Sequence, residues 1–167
     1  MQPQHTLDTI RKKILTPETL VHEIERLRFF SKKIVFTNGC FDILHLGHID
    51  YLTKAADLGD ILIVAINTDA SVSKLKGPSR PINHEEQRSM LVAALQMVDR
   101  VILFNENTPY ELIKTIQPDV LVKGADYKLE QIVGYDIVKA KKGEVVTIEF
   151  LDGYSTSAIE QKIKNTK

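Results

Sequence analysis

From Lys33 onward the chain alternates short apolar runs with amphipathic stretches, the pattern of strands separated by helices. Lys33-Ile34-Val35-Phe36-Thr37 predicts a buried strand and Asn38 to Asp42 a turn, after which His45 opens a helix with Ile49, Leu52, Ala56 and Leu58 on its apolar side. Asp60–Ile66 is apolar on both faces, as a central parallel strand requires. Asn83 predicts the cap of a helix through Met97, with Glu86 placed for a capping box. Arg100–Phe104 is the next strand, and Thr108-Pro109 starts a helix that Pro118 ends. Asp119–Lys123 is a strand, a helix follows near Leu129 to Lys141, and Gly143 leads into a last strand, Glu144–Phe150. A closing helix begins around Ser155 to Ser157. Five strands joined through helices predict a five-stranded parallel sheet with right-handed crossovers, that is, one doubly wound α/β domain.

The first thirty residues read differently. Thr16-Pro17 is an N-cap followed by proline at the first helical position, and Leu20, Ile24 and Leu27 recur at helical spacing. This predicts an N-terminal helical extension over 1–31, a looser arm and then an amphipathic helix, packed on a domain spanning 32–167. No internal repeat or low-complexity tract interrupts either part.

Composition narrows the functions. Lys plus Arg and Asp plus Glu are 22 each in 167 residues, so there is no basic excess to favour nucleic acid or an anionic membrane. The longest apolar stretch, Ile61 to Ile66, is too short to cross a bilayer, and Met1 to His5 lacks the charged and apolar regions of a signal peptide. Cys40 is the only cysteine, which fits a reducing compartment; a cytoplasmic protein is expected. Cys40 itself reads as a small packing residue rather than a nucleophile.

The chemistry concentrates beyond the carboxyl ends of the strands, where such sheets bind ligands. His45-Leu46-Gly47-His48 places two imidazoles on one side of a helix's first turn, and that helix start presents free N–H groups to an anion. Gly47 leaves room for a ligand against the backbone. The plain alternative is that His45 caps the helix and His48 is a hydrogen-bonded core residue. Ser73 to Pro81 reads as a Gly/Pro-bounded loop offering Lys74, Lys76 and Arg80, of which Lys76 and Arg80 are the better phosphate partners. Arg88 divides evenly between a phosphate contact and a surface ion pair. Gly153-Tyr154-Ser155-Thr156-Ser157 repeats the anion-binding logic, although Ser157 and Glu160 would also suit a capping box.

Asn38-Gly39-Cys40-Phe41-Asp42 with His45-Leu46-Gly47-His48 resembles the first motif of the HxGH nucleotidyltransferase superfamily, which has a Rossmann-like fold. Together with Leu75 to Pro81, Leu121 to Tyr127 and Asp152 to Ser157, it is similar to the heptose 1-phosphate adenylyltransferase family, over nearly everything from Lys33 to Ile163. The resemblance implies transfer of AMP from ATP to D-glycero-β-D-manno-heptose 1-phosphate, giving the lipopolysaccharide precursor ADP-heptose and pyrophosphate. It implies His45, His48 and Lys76 as catalytic residues. Nucleotide contacts would come from Asn38, Gly39, Phe41, Asp42, Gly47, Arg88, Val122, Gly124, Asp126, Ser155, Thr156 and Ser157, with Asp42 fixing the turn. Asn67, Asp69, Lys76 and Arg80 would meet the sugar phosphate. Magnesium would be carried with ATP and no metal held by the protein. A homodimer or higher homo-oligomer and a separate sugar kinase upstream are also implied. The residues themselves leave open a CTP-dependent cytidylyltransferase acting on glycerol 3-phosphate or a similar small phosphate, and a nucleotide-binding module without turnover.

Overall fold

The computed structural model describes residues 5–125 and 128–166. In chain order the elements are α1 (Thr6–Arg11), β1 (Ile14–Leu15), α2 (Pro17–Phe29), β2 (Ile34–Gly39), α3 (Leu46–Ala56), β3 (Ile61–Asn67), α4 (Asp69–Lys76) and α5 (Glu85–Ala93). β4 (Arg100–Phe104), α6 (Tyr110–Ile116), β5 (Val120–Gly124), a single 3-10 turn (Leu129–Gln131), α7 (Tyr135–Ala140), β6 (Glu144–Ile148) and α8 (Thr156–Lys164) complete it.

The sheet is parallel throughout, in the order β1-β4-β3-β2-β5-β6. The chain runs outward from β2 through β3 and β4, then returns to lay β5 on the other side of β2. The strand order therefore reverses between β2 and β5, and a crevice opens at their carboxyl ends. Alternation along β2 feeds two cores. Ile34 and Phe36 meet Leu20, Leu27, Ile113 and Val138 on the face of α2, α6 and α7. Val35 turns to the other face, with Leu52, Ala55, Val92 and Ala93 of α3 and α5.

Six strands replace the expected five. Ile14 and Leu15 pair with Val101 and Ile102, and the Val101 N–H donates to the Lys13 carbonyl at 2.8 Å. Two residues are too few for a period to show, so the stretch read as a loose arm holds both a strand and α1. Lys13 secures it further by donating from Nζ to the Val98 carbonyl at 2.7 Å.

Three helices also differ from expectation. α4 occupies the first part of the supposed Ser73–Pro81 loop, with Thr68 accepting from the Ser71 N–H and Gly77 closing it at φ 98°. α5 starts after His84, whose N–H donates to Gln87 rather than to Glu86, because Asn83 is drawn onto Asp42 instead; it ends at Ala93, short of Met97. The helix expected over Leu129–Lys141 is broken at Gly134. There φ is 89°, and a Cβ would lie 2.7 Å from Ile113 Cδ1, so close packing on α6 excludes any side chain. Among the described residues no helix is long and apolar enough to cross a membrane.

Candidate active site

β2 delivers Asn38 and Gly39 to the crevice, and the chain then turns sharply. A Cβ on Gly39 would stand 3.0 Å from the Phe41 ring, so this glycine admits Phe41 rather than a ligand. Phe41 itself is left-handed, at φ 49°, a conformation that costs a bulky residue about 1 kcal/mol or more. The turn buries Asp42, whose carboxylate accepts from the Ile82 and Asn83 N–H groups and from the Arg80 guanidinium at 2.8 Å. Burial alone would raise the Asp42 carboxyl, but those donors outweigh it and hold it below the usual carboxylate range. Asp42 thus fixes the segment 80–83 as well as its own turn, and both of its carboxylate oxygens are taken up by those internal donors.

His45 is the N-cap of α3, and its carbonyl accepts from the His48 N–H at 2.9 Å. The two rings stack, centroids 3.8 Å apart and planes 23° from parallel, with Phe41 tilted against His48 at 5.2 Å. Both Nδ1 atoms are buried without a hydrogen-bond partner among the described residues. A core histidine held by its hydrogen bonds is therefore not what the structure has at His48. Burial, then the nearby His45 and Lys76 charges, push the His48 imidazole down to about 4, so it is neutral at physiological pH. Burial lowers His45 as well. Gly47 does not hold space for a ligand: a Cβ there would lie 3.1 Å from the His45 ring and 3.3 Å from Tyr154 Cβ. Its role is to let the late motif rest on the first.

The cations divide sharply. Lys76, the last residue of α4, is exposed and has no ion pair or hydrogen bond among the described residues, and its charge reaches both His48 and Cys40. Arg88 is fully buried and donates to the Asn83 carbonyl, the Cys40 carbonyl at 2.7 Å and Asp69 at 2.8 Å. It is neither a surface ion pair nor open to a phosphate; it braces the turn after β2 from behind. Arg80, expected at the sugar phosphate, is engaged by Asp42 and Glu160. Asn67 and Asp69 have likewise found internal partners. Asn67 donates to Ser71 Oγ at 3.0 Å, while Asp69 takes Arg88 and His84 and its N–H donates to Glu85. Burial pushes the Cys40 thiol up, in keeping with a packing role.

One cation escaped the sequence reading. Lys123, near the end of β5, donates across the crevice to the Asn38 side chain. Its signal was a lysine inside an otherwise apolar strand beside the reversal point. Val122 and Gly124 flank it and are buried, so they can offer backbone only; Asp126 lies outside the described residues. In the late motif Gly153 turns at φ 82°, Ser155 caps α8 by accepting from the Ala158 N–H at 3.1 Å, and Ser157 is exposed. The cap is thus Ser155, not a Ser157–Glu160 box, because Glu160 is used by Arg80. Asn38, the stacked histidines, Lys76, Lys123 and the α8 start converge at one end of the sheet, a constellation suited to a polyphosphate.

A family model described as Cytidylyltransferase-like matches residues 36–162. The chain is 53% identical over 151 residues to Bifunctional protein HldE of Citrifermentans bemidjiense, covering 90% of this chain and 31% of that protein. It is 56% identical over 156 residues to Bifunctional protein HldE of Campylobacter jejuni subsp. doylei, covering 93% and 32% respectively. The chain thus spans about a third of the length of these curated relatives. Among solved structures it is similar to a lipopolysaccharide core biosynthesis protein from Thermoplasma volcanium, with TM-score 0.60 and 32% identity over 74% of this chain and 99% of that one. Pantoate-beta-alanine ligase from Francisella tularensis, at TM-score 0.59 and 19% identity over 90% of this chain and 76% of that one, shares the fold. With the family match over residues 36–162 covering most of its length, the chain belongs to the cytidylyltransferase-like family.

Proposed function

We propose that this chain is a nucleotidyltransferase that transfers AMP from ATP to a sugar 1-phosphate, specifically D-glycero-β-D-manno-heptose 1-phosphate, giving ADP-heptose and pyrophosphate. The observation that supports the reading is the stacked His45–His48 pair, whose buried Nδ1 atoms have no partner among the described residues, at a helix start on the strand-order reversal, with Tyr154 resting on Gly47 between them. The similarity to the HldE proteins and to a lipopolysaccharide core biosynthesis protein supports an acceptor that leads to a lipopolysaccharide precursor.

On this reading the acceptor's phosphate oxygen attacks the α-phosphorus in line while the bond to the bridging oxygen breaks and pyrophosphate departs. The acceptor is already anionic, so no strong base is needed, and catalysis is positioning plus charge stabilisation. Neutral His45 and His48 donate hydrogen bonds to the triphosphate, His48 at the crowded transition state. Lys76 swings onto the oxygens shared by acceptor and α-phosphate, and the α8 start holds the outer phosphates. Asn38, set by Lys123, shapes the nucleoside side. Arg88 and Asp42 act through the loops they fix. No group of three His, Cys, Asp or Glu able to hold a metal exists among the described residues, and magnesium would arrive on ATP, supplying charge neutralisation to its phosphates.

The test is pyrophosphate release with heptose 1-phosphate and either ATP or CTP. Release with ATP at least tenfold faster than with CTP is expected. Preference for CTP would replace the reading with a cytidylyltransferase, and no release with either nucleotide, with glycerol 3-phosphate also tried, would leave a binding module.

A further inference from the structure

Tyr154, just ahead of helix α8, rests against Gly47 between the two histidines, yet α8 buries none of its own side chains. Ile163 is 65% exposed, and Tyr154 and Phe150 just ahead of the helix are also largely open. Among the described residues, the one ion pair or hydrogen bond from α8 to the rest of the protein is Glu160 to Arg80. That pair is mostly withdrawn from water, the side chains being 23% and 17% exposed. Arg80 passes the connection on to buried Asp42 at 2.8 Å, and Asp42 in turn fixes Ile82 and Asn83. The late motif, the segment after Lys76 and the first motif are therefore tied through one guanidinium.

We propose that Glu160 and Arg80 are positioning residues, a latch that presets α8 and the late motif ahead of it against Gly47 and the first motif. A nine-residue helix is marginal in water by itself, and without buried side chains α8 has little else to hold it. Releasing the latch lowers the fraction of molecules with α8 docked. The apparent affinity for a ligand that needs the docked state falls by that same fraction. The groups at the reacting phosphorus are untouched, so the chemical step in the saturated enzyme is preserved.

The proposal rests on the nucleotide reading above, and the test separates the two. Glu160→Gln is compared with Lys162→Gln, an exposed charge on the same helix whose side chain has no partner among the described residues. Amide hydrogen exchange over 158–164, KM for ATP and kcat are measured on each. Glu160→Gln should speed α8 exchange and raise KM for ATP by about fivefold or more, the order expected from breaking a partly buried ion pair. It should keep kcat within about twofold, a split that a loss of general stability would not produce. Lys162→Gln should leave all three near wild type. Unchanged α8 exchange in Glu160→Gln, or faster exchange with KM unmoved, overturns the latch. If the wild-type chain turns out not to use ATP, the functional reading fails and the exchange comparison alone decides the latch.

Discussion

The two ends of the sheet hold charge in opposite ways. At the amino end, carboxylates cap the first N–H groups of the central strands: Asp60 takes Lys33, Asp119 takes Ile34 and Asp99 takes Leu62, each at 2.8 Å. Asp119 also pairs with Arg28 at 2.6 Å and Lys141 at 3.1 Å, and the Gln117 carbonyl accepts from both of those cations. At the carboxyl end the buried groups Arg88 and Asp42 are matched as completely, but the layer in front of them is not. Among the described residues the Nδ1 atoms of His45 and His48 have no partners and Lys76 has no ion pair or hydrogen bond, and Phe41 is held left-handed. Buried polar groups left unmatched cost free energy, so a fold keeps them where a ligand is to complete them. The amino end is charge used for folding; the carboxyl end is charge reserved.

Breaking each end should therefore give different phenotypes, the largest at His48. His48→Ala should lower turnover by about a hundredfold or more, the usual effect of removing one preorganised donor at a developing charge, with little loss of stability since its buried Nδ1 gives up no hydrogen bond to the described residues. His48→Asn should restore part of the rate if the ring serves as a hydrogen-bond donor. Pyrophosphate release and melting temperature on both variants check this; a clear loss of Tm with near-normal turnover would return His48 to the core.

The amino end should show the converse. Asp119→Ala strands the Ile34 N–H and two cations, and should cost about 2 kcal/mol of stability. For a domain of this size that is a fall in Tm of roughly 4–8 °C. KM and kcat below the transition should stay within about twofold. A kinetic defect at low temperature would mean that this end is coupled to the site after all.

The contrast between the ends also marks what the sequence could disclose. The strand before Asn38, the helix start at His45 and the closing helix starting around Ser155 to Ser157 were legible because each is local, an apolar run, a turn and hydroxyl side chains within a few residues, although which serine caps the last helix was not. β1 was not, since two residues carry no period and its pairing with β4 lies far along the chain. α4 was hidden by Gly77 and Pro78, which read as a loop but only terminate the helix. Arg80, Asn67 and Asp69 looked like polar groups facing a ligand, and Arg88 like either a phosphate contact or a surface ion pair. Each instead finds a partner that only the tertiary fold reveals, Asp42 lying 38 residues from Arg80 and Cys40 48 residues from Arg88. Lys123 was overlooked for the same reason in reverse, because only the crossing of β5 beside β2 brings it to Asn38.

The smallest expected effect is a pH dependence, and it reads the reserved charge without any substrate. His48 titrates near its ordinary 6.5 when unfolded but at about 4 when folded, with burial the main cause and His45 and Lys76 adding repulsion. Between those values the unfolded chain binds more protons, so stability rises with pH across the window and is lost as pH falls from about 6.5 to about 4. Asp42, Asp69 and Asp119 are held below the usual carboxylate range, so their stabilising contributions fade only lower, as pH drops beneath about 3.8. Urea unfolding at pH 7, 5.5 and 4.5 should therefore show a steady loss in the wild type. His48→Asn should lose much less across the same interval, with a remainder due to His45, also lowered by burial. Lys76→Met should fall between them, because it removes one of the two charges that repel a protonated His48 while leaving the burial. Saturating ATP should flatten the wild-type profile too, since a triphosphate against the rings favours their protonated forms and offsets the burial. Parallel profiles for wild type and His48→Asn would mean that the imidazole is not held neutral, and the contrast between a satisfied amino end and a reserved carboxyl end would lose its sharpest member.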